Sequence, residues 1–293
     1  MKVCAVVVTF NRLELLKLCI EKLLNQSKKL DEIMIINNAS TDGTKNYLES
    51  LNIQNLTVIN LEKNVGGAGG FNEGIKLAYK KEYDYIWIMD DDTIATKCAL
   101  NNLINKINEL KSESIGFVCS NVLYKDETAC VMNVPKVKNI WNTYASDGAI
   151  EVESASFVSI LVDIKAIKAI GLPIKEFFIW GDDIEFTKRV TSKFKGYMVT
   201  NSIVYHYMNS NKGVDIVEEN GERINRYFYQ FRNRLYTHKK RGIKFIIKYL
   251  IFVIKTIIKI LFRSKGYKLK KISIVLKGAL SGIFFNPKIE FVE

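Results

Sequence analysis

Short apolar segments alternate with helical segments over the first 111 residues, and this alternation constrains the fold more than any other feature of the chain. Apolar runs that predict strands occur at 3–9, 33–36, 56–61 and 85–89. A helix is predicted after each strand, the third at about 71–81 and the fourth at about 98–111. Strands that alternate with helices favour an α/β fold with a parallel sheet, whose ligands bind at the carboxyl ends of the strands.

The pattern changes after residue 111. Strands of a mixed sheet are predicted at 116–124, 151–163 and 197–207, with a helix at 184–194 between the last two. Beyond residue 222 the whole sequence is typical of helix. The chain is therefore expected to continue from a nucleotide-binding type of sheet into a mixed sheet and then into a helical C-terminal region.

Three consecutive carboxylates, Asp90, Asp91 and Asp92, directly follow the strand at 85–89. Crowded like charges repel one another unless a cation compensates them, so the triplet favours a divalent metal that carries a phosphorylated substrate. The alternative is a solvated acidic turn. The triplet also resembles locally the Asp-x-Asp of haloacid dehalogenase phosphatases, but the strand is the fourth rather than the first, and Ile94 replaces the usual Thr or Val.

A glycine-rich segment at 65–70 follows the third strand. It is not a G-x-G-x-x-G motif, because the spacing from Gly67 and Gly69 leads to Asn72, and no Gly-Lys-Ser/Thr of a P-loop follows. Its glycines permit close approach of a ligand, and the next helix N-terminus favours an anion. A tight turn without a ligand is the alternative interpretation.

A second acidic segment follows bulky apolar residues at Trp180, Gly181, Asp182 and Asp183. One Asp is expected to cap the predicted helix, which leaves the other free to act as a general base. Trp180 offers a flat apolar face for a sugar ring. His206 follows an apolar run, and it is either a structural residue or, if that strand lies beside Asp92, a metal ligand.

The five cysteines are odd in number and scattered, without a C-x-x-C pair, which argues against a disulfide framework or a zinc site and fits a reducing compartment. No signal peptide is expected, because polar residues at Asn11 and Arg12 end the first apolar run.

The net charge of +12 is unevenly distributed. Residues 226–293 contain 17 Lys or Arg and 2 Asp or Glu, whereas the preceding residues are slightly acidic. Within a predicted helix at 243–262, Lys244, Lys248, Lys255 and Lys259 form one narrow stripe beside a wide apolar face. The pattern predicts an interfacial helix on anionic lipid, or alternatively a helix packed on the catalytic domain or on a second subunit.

In order and spacing, these motifs resemble the inverting, nucleotide-sugar-dependent glycosyltransferases of family 2, which have a GT-A fold. The resemblance covers roughly residues 3–240 and depends on segments 7–12, 37–44, 64–74, 90–92, 180–186 and on His206. The segments Gly-Gly-Ala-Gly-Gly-Phe and Trp-Gly-Asp-Asp are most similar to the galactofuranosyltransferase and rhamnosyltransferase branches. The implied fold is GT-A, a Rossmann-like parallel and mixed sheet, with a basic helical C-terminal extension.

The resemblance also implies the site residues. Those implied for the nucleotide sugar are Thr9, Phe10, Asn11, Arg12, Asn38, Asn64, Gly66, Gly67, Asp90 and Asp91. Asp90, Asp92 and His206 would hold Mn²⁺ or Mg²⁺, Asp183 would be the catalytic base, and Trp180 and Asp182 would contact the acceptor. Many family members have Asp-Asp where this chain has Asn37 and Asn38, so the contacts there differ.

The implied organisation is a catalytic domain at 1–225, with a donor half at 1–111 and an acceptor half at 112–225, followed by a membrane-associating region at 226–293. The implied activity is transfer of galactofuranose from UDP-galactofuranose to a glycan or lipid-linked glycan of the bacterial surface, with dTDP-rhamnose as the alternative donor. The enzyme is expected in the cytoplasm on the inner face of the plasma membrane, and homo-oligomerisation is left open.

A non-enzymatic alternative is a basic module that binds membranes or nucleic acid. The acidic crevice would repel nucleic acid, so no nucleic-acid partner is expected. Metal-dependent binding of a nucleoside diphosphate distinguishes the enzyme from the binding module.

Overall fold

The computed structural model describes residues 1–110 and 113–292. The strands are β1 (Val3–Thr9), β2 (Glu32–Asn37), β3 (Leu56–Asn60), β4 (Tyr85–Asp90), β5 (Thr93–Ala95), β6 (Ile115–Tyr124), β7 (Lys136–Val137), β8 (Ala149–Ser154), β9 (Ile160–Asp163) and β10 (Lys195–His206). The helices are α1 (Leu13–Leu24), α2 (Thr44–Ser50), α3 (Gly66–Lys80), α4 (Ala99–Glu109), α5 (Ile164–Ile170), α6 (Asp182–Thr191), α7 (Tyr227–Lys240), α8 (Ile243–Arg263) and α9 (Lys268–Phe284).

The strands form a mixed sheet in the order β3, β2, β1, β4, β9, β6, β10, β8, β7, and β5 pairs with β10. The four strands of the first half are parallel, as their alternation with helices predicts. Strand β9 runs antiparallel between β4 and β6, and β10 runs parallel to β6. The predicted α/β class and mixed sheet are confirmed.

Several predicted elements have different bounds in the structure. The predicted strand at 151–163 is two strands, β8 and β9, because Ser159 has a φ of 62° and breaks the extended run. The glycine-rich segment is not a loop, since α3 begins at Gly66 and contains the remaining glycines. The predicted helix end at Lys111 lies outside the described residues. Residues 285–292 are not helical, contrary to the expectation for the C-terminus.

The structure divides into two compact units. The first consists of Met1–Lys175, Asp183–Lys212 and Ile289–Glu293, and it contains the sheet. Apolar side chains of α1, α2 and α4 cover one face of this sheet, and those of α3, α5 and α6 cover the other. The parallel strands are thus buried on both faces, which explains why they are almost continuously apolar in sequence.

The second unit consists of Glu176–Asp182 and Gly213–Lys288. Its core is formed by one face each of α7, α8 and α9, with Phe231, Tyr249 and Val275 fully or almost fully buried. Lys271 is also buried, and its ammonium group donates to the carbonyl of Val217 and to the Ser264 hydroxyl, which compensates the cost of its burial. The functional domain bounds expected from the sequence stay a prediction.

The close packing of α3 on the sheet depends on Gly74. A Cβ atom there would lie 2.4 Å from Val6 Cγ1 and 3.0 Å from Ile36 Cγ1, because the helix lies directly on β1 and β2. We expect Gly74→Ala to lower the free energy of unfolding by about 1–3 kcal/mol, as overpacked cores do. Urea denaturation measures this change.

Gly67→Ala is the matched control, because a Cβ atom at Gly67 has no neighbour within 4 Å. Alanine favours helix over glycine, so this variant should keep or gain stability, by at most about 1 kcal/mol. Equal losses in the two variants would contradict the packing argument.

Candidate active site

Parallel and antiparallel pairing together place the acidic triplet beside His206. Strand β4 is parallel to β1, with Asp90 opposite Val8, so Asp91 and Asp92 continue from a carboxyl end of the sheet. The short strand β5 then pairs with β10 in the antiparallel sense, and this register places Thr93 opposite His206. Residues distant in sequence thereby form one cluster at the strand ends, where α/β proteins bind ligands.

Asp90, Asp92 and His206 each direct one potential ligand atom to the same place. These three atoms lie within 4.8 Å of one another, and no other such group of three occurs among the described residues. His206 Nε2 lies 3.1 Å from Asp92 Oδ1, which has no other partner although it is buried. Two carboxylates and an imidazole suit Mn²⁺ or Mg²⁺, and a cation between them would compensate the buried Asp92 Oδ1. The three residues therefore fit the divalent metal that the family resemblance implied.

The ionisation of the cluster reflects its crowding. Burial and repulsion from Asp92 raise the pKa of Asp90 to about 6. Burial alone would lower the pKa of His206, but Asp92 outweighs it and raises that pKa to about 10. Burial also disfavours the charge of Asp92, yet attraction to His206 and Arg12 lowers its pKa. The protein thus balances this negative site with its own cations, which is the balance that a divalent metal would supply.

Arg12 supplies the second of these cations. Its Nη1 lies 3.2 Å from Asp91 Oδ1 and also forms an ion pair with Asp92 Oδ2. Burial opposes the guanidinium charge, but the three carboxylates raise its pKa. Its side chain remains 47% exposed, so it is accessible to a ligand as well.

Asp91 faces the protein. Its Oδ2 accepts hydrogen bonds from the Thr9 hydroxyl at 2.7 Å and from the Phe10 amide at 3.3 Å. Burial raises the pKa of Asp91 to about 7, with Arg12 opposing that rise. Asp91 therefore fixes the turn after β1 against the end of β4, and its predicted contact with the nucleotide stays a prediction.

A network of amides connects three of the residues predicted to bind the nucleotide. The Asn38 amide group donates to Asn64 Oδ1 at 3.0 Å and to the Gly66 carbonyl at 3.1 Å, and its own oxygen accepts from the Val65 amide at 2.8 Å. This network holds the start of α3 beside the end of β2. Gly66 has a φ of 75°, which a residue with a side chain rarely adopts.

Asn11 connects the turn after β1 with the turn after β2. Its Oδ1 accepts a hydrogen bond from the Thr41 backbone amide at 2.7 Å, and its own backbone N–H donates to the Ser40 hydroxyl at 3.0 Å. Asn11 has a φ of 53°, a conformation that asparagine tolerates better than most residues. The predicted nucleotide-binding residues at the ends of β1 and β2 are therefore held in one rigid arrangement.

Asn133 was not found by sequence reasoning. Its Oδ1 accepts from His206 Nδ1 at 2.8 Å and from the Cys130 thiol at 2.9 Å, and its amide donates to the Ser156 hydroxyl at 2.7 Å. Because it lies 73 residues from His206 in a short 3₁₀ segment, no local motif marks it. A buried amide that contacts a histidine is visible only once the sheet is assembled.

Asp183 lies in the first turn of α6. Its Oδ1 accepts a hydrogen bond from the Ile184 amide at 2.7 Å. Burial raises its pKa to about 6, and repulsion from Asp90 contributes to that rise. A carboxylate with this pKa can accept a proton near neutral pH.

The segment before Asp183 belongs to the second unit and has an unusual backbone. Phe178 and Trp180 have φ values of 65° and 64°, which bulky residues rarely adopt. Asn233 compensates the strain, because its amide donates to the carbonyls of Phe177, Ile179 and Trp180 at 2.9–3.1 Å. The Trp180 ring contacts the Tyr227 ring edge-on, with 5.0 Å between centroids. Asp182 is buried, and acceptor contacts of Trp180 and Asp182 stay predictions.

Comparison with known proteins finds one matching family and several similar proteins. Residues 4–129 match the family described as Glycosyl transferase family 2. The chain is 26% identical over 199 residues to the galactofuranosyltransferase GlfT1 of Mycolicibacterium smegmatis (strain ATCC 700084 / mc(2)155), covering 64% of this chain and 65% of that protein. It is 25% identical over 130 residues to a poly-beta-1,6-N-acetyl-D-glucosamine synthase of Staphylococcus aureus (strain COL), covering 44% and 30%.

The chain therefore spans slightly less than two thirds of the length of GlfT1. Among solved structures, the crystal structure of S. aureus TarS 1-349 is similar, with a TM-score of 0.55 and 17% identity over 97% of this chain and 72% of that one. The same protein in complex with UDP gives a TM-score of 0.55 and 17% identity over 98% and 73%. The family resemblance and the predicted GT-A fold are confirmed.

Proposed function

We propose that this chain is a metal-dependent inverting glycosyltransferase that transfers galactofuranose from UDP-galactofuranose to a glycan or lipid-linked glycan acceptor in the synthesis of a bacterial surface polysaccharide. The observation that carries the proposal is the position of a carboxylate with a raised pKa, Asp183, near the cluster of Asp90, Asp92 and His206. A potential proton acceptor thus lies close to a potential diphosphate site. The family 2 domain and the similarity to GlfT1 support the same reading.

The donor would bind at the carboxyl ends of β1, β2 and β4. Asn11, Asn38 and the first turn of α3 would surround the nucleotide, because their side chains and amides are already held in place there. The N-terminus of α3 favours an anionic group, and Arg12 adds a positive charge that remains partly exposed. UDP is preferred as the nucleotide because UDP is bound in the TarS complex, whose fold this chain shares.

Asp183 would take the proton from the acceptor hydroxyl. In the same step, the hydroxyl oxygen would attack the anomeric carbon from the side opposite the departing diphosphate. Inversion follows from this single displacement, and no covalent intermediate on the protein is required. Asp90, Asp92 and His206 would hold Mn²⁺ or Mg²⁺, whose Lewis acidity would stabilise the charge of the leaving diphosphate. Arg12 would add to that stabilisation by neutralising Asp91 and Asp92.

A donor screen tests the proposed activity. The protein is incubated with UDP-galactofuranose, dTDP-rhamnose and common UDP-hexoses, each with Mn²⁺, Mg²⁺ or EDTA, and release of the nucleoside diphosphate is measured. We expect metal-dependent release to be fastest from UDP-galactofuranose. Preference for dTDP-rhamnose would support the alternative donor, and metal-independent or absent release from every donor would overturn the proposal.

We also propose that the enzyme lies on the inner face of the plasma membrane. The scattered free cysteines support a reducing compartment, and the basic C-terminal helices support contact with anionic lipid. None of the helices in the described part of the chain is long and apolar enough to span a bilayer. Association with the membrane surface would depend on α8 and α9.

A further inference from the structure

Helix α8 has two opposite apolar faces. Tyr249, Val253 and Ile260 lie on the inner face and pack in the core of the second unit. Tyr249 also fixes the rotation of the helix, since its hydroxyl donates to the Phe231 carbonyl at 3.1 Å. The outer face is apolar as well, and its exposed side chains are Ile243, Ile247, Leu250, Ile251, Ile254, Ile258 and Leu261. Ile247 and Ile254 are 53% and 57% exposed, which is unusual for a contiguous aliphatic row.

Helix α9, in the same unit, repeats this arrangement. Leu269, Leu276 and Leu280 lie on one side of it at helical spacing and are exposed, whereas Val275 is buried on the other side. The exposed side chains Phe262 and Tyr267 lie at the end of α8 and just before α9. Two packed helices thus present apolar rows that no described residue covers. The apolar surface is defined as the exposed side chains of the α8 outer face together with Phe262, Tyr267, Leu269, Leu276 and Leu280.

Lysines border the apolar surface. Lys244, Lys248, Lys255 and Lys259 are exposed and form a stripe next to the outer row of α8, and Lys270 and Lys277 have the same relation to the row of α9. From Arg223 to Ile289 the sequence contains no Asp or Glu at all. A cationic partner would be repelled, whereas a surface that is apolar inside and anionic outside is complementary.

We propose that the apolar surface and its lysine border bind the anionic face of a phospholipid bilayer, with both helices lying in the plane of the membrane. The aliphatic rows would enter the boundary of the acyl chains, and the lysines would contact headgroup phosphates. This proposal rests on the proposed location at the plasma membrane, and it does not depend on which sugar is transferred. It also differs from a transmembrane anchor, since the inner faces of α8 and α9 remain in the core of the second unit.

Vesicle sedimentation tests the proposal with two variants of the full chain. The first changes Lys244, Lys248, Lys255 and Lys259 to Glu, and the second changes Ile247, Ile254 and Ile258 to Ser. The matched control changes four exposed lysines of the first unit, Lys29, Lys45, Lys80 and Lys168, to Glu, which gives the same net charge as the first variant. Circular dichroism confirms that each variant is folded.

We expect the wild type and the control to sediment with vesicles rich in phosphatidylglycerol and only weakly with pure phosphatidylcholine. The lysine variant should bind at least about a hundredfold more weakly. Each lysine contributes attraction to the anionic headgroups, and a glutamate in its place is repelled by them. The isoleucine variant should also bind more weakly, even though its charge is unchanged. UDP release from a soluble donor should persist in both variants.

Two results would overturn the proposal. If the control loses as much binding as the lysine variant, the attraction follows net charge and not this surface. If the wild type ignores vesicles and sediments as a dimer that the isoleucine variant dissociates, a second copy of the chain covers the surface. Neither result would affect the proposed transfer activity, which the donor screen tests separately.

An independent observation concerns Asn133, and we infer that it is a positioning residue for His206. When Nδ1 of the imidazole donates its proton to Asn133 Oδ1, the lone pair of the neutral ring lies on Nε2, which faces Asp92. Ser156 accepts a hydrogen bond from the Asn133 amide group, which fixes the orientation of the amide. This inference rests on the proposed metal site, because Nε2 is the atom that would bind the cation.

Calorimetric titration with Mn²⁺ alone, without donor, tests the inference. Asn133→Ala should weaken Mn²⁺ binding by about 10- to 100-fold, as losses of such supporting contacts do. Asn133→Asp keeps an acceptor oxygen at this position and should recover most of the affinity. Wild-type affinity in the Ala variant, or equal losses in the Ala and Asp variants of folded protein, would contradict the positioning role. Failure of the wild type to bind Mn²⁺ would instead contradict the metal site itself.

Discussion

Asp183→Asn is expected to lower the rate of transfer by about 10²–10⁴-fold while the affinity for UDP stays close to that of the wild type. Asparagine keeps the size of the side chain and an oxygen that can accept from the Ile184 amide, so α6 should start as before. It cannot accept a proton from the acceptor hydroxyl, which is the role proposed for Asp183. Steady-state kinetics with a saturating donor and calorimetry with UDP separate the two effects.

Asp182→Asn is the matched neighbour for this experiment. Asp182 is buried, unlike Asp183, which is partly accessible, so its loss should affect stability more and turnover less. Equal losses of UDP affinity and turnover in Asp183→Asn would identify Asp183 as a nucleotide contact or a structural residue. An unchanged rate would remove it from the mechanism.

The pH dependence follows from the same residue. Asp183 must be ionised to accept a proton, and burial raises its pKa to about 6. The rate should therefore rise with pH and reach a plateau above about pH 6. A cation bound beside Asp90 attracts the negative form of Asp183, so the acid limb should lie at or below that pH in the presence of metal.

The second large effect is expected at the proposed metal site. Asp92→Ala and His206→Ala should each weaken Mn²⁺ binding by at least about tenfold, since each removes one ligand of a single ion. The double variant should lose less than the sum of the single losses, because both changes disable the same site. Calorimetry with Mn²⁺ in the presence and absence of UDP measures this coupling.

Asp126→Ala serves as the control for charge alone. Asp126 is exposed, and its carboxylate accepts only from the Thr128 amide and hydroxyl in the described structure. Its loss should leave Mn²⁺ affinity unchanged. Additive losses for Asp92 and His206, with the metal dependence of UDP binding unchanged, would show that the two residues do not share an ion.

Periodicity predicted the first half of the fold well, because the parallel strands are buried on both faces. The apolar run at 3–9 coincides with β1, and the end of the run at 85–89 correctly placed the acidic triplet. The glycine-rich segment was interpreted as a loop, since glycine is a poor helix former. In the structure Gly70 and Gly74 lie within α3, where the helix packs so closely on β1 that only glycine fits against Val8 and Val6. Tertiary packing there outweighs local propensity.

Long-range contacts explain what the sequence could not predict. The hydroxyls of Ser120 and Ser159 lie 2.6 Å apart, and Ser159 also accepts from the Trp87 indole at 2.9 Å. This buried contact accompanies the break between β8 and β9, which no local pattern at 151–163 reveals. Near the C-terminus, Glu290 pairs with Lys76 and Lys175, and residues 285–292 are not helical.

The metal cluster was partly predictable and partly not. The Asp triplet is evident because three adjacent carboxylates are rare, and His206 was recognised through the order and spacing of the family motifs. That His206 lies beside Asp92 follows from the pairing of β5 with β10, and β5 is only three residues long. A strand of this length has no periodicity that could predict it.

The anomeric configuration of the product distinguishes single displacement, with Asp183 as the base, from a retaining mechanism. The protein is incubated with UDP-galactofuranose, Mn²⁺ and a galactofuranose-containing acceptor, and the new glycosidic linkage is identified by its proton and carbon NMR signals. We expect a linkage of opposite configuration to that of the donor, formed by the wild type and not by Asp183→Asn. A product that retains the donor configuration, or equal yield from Asp183→Asn, would contradict single displacement with Asp183 as the base.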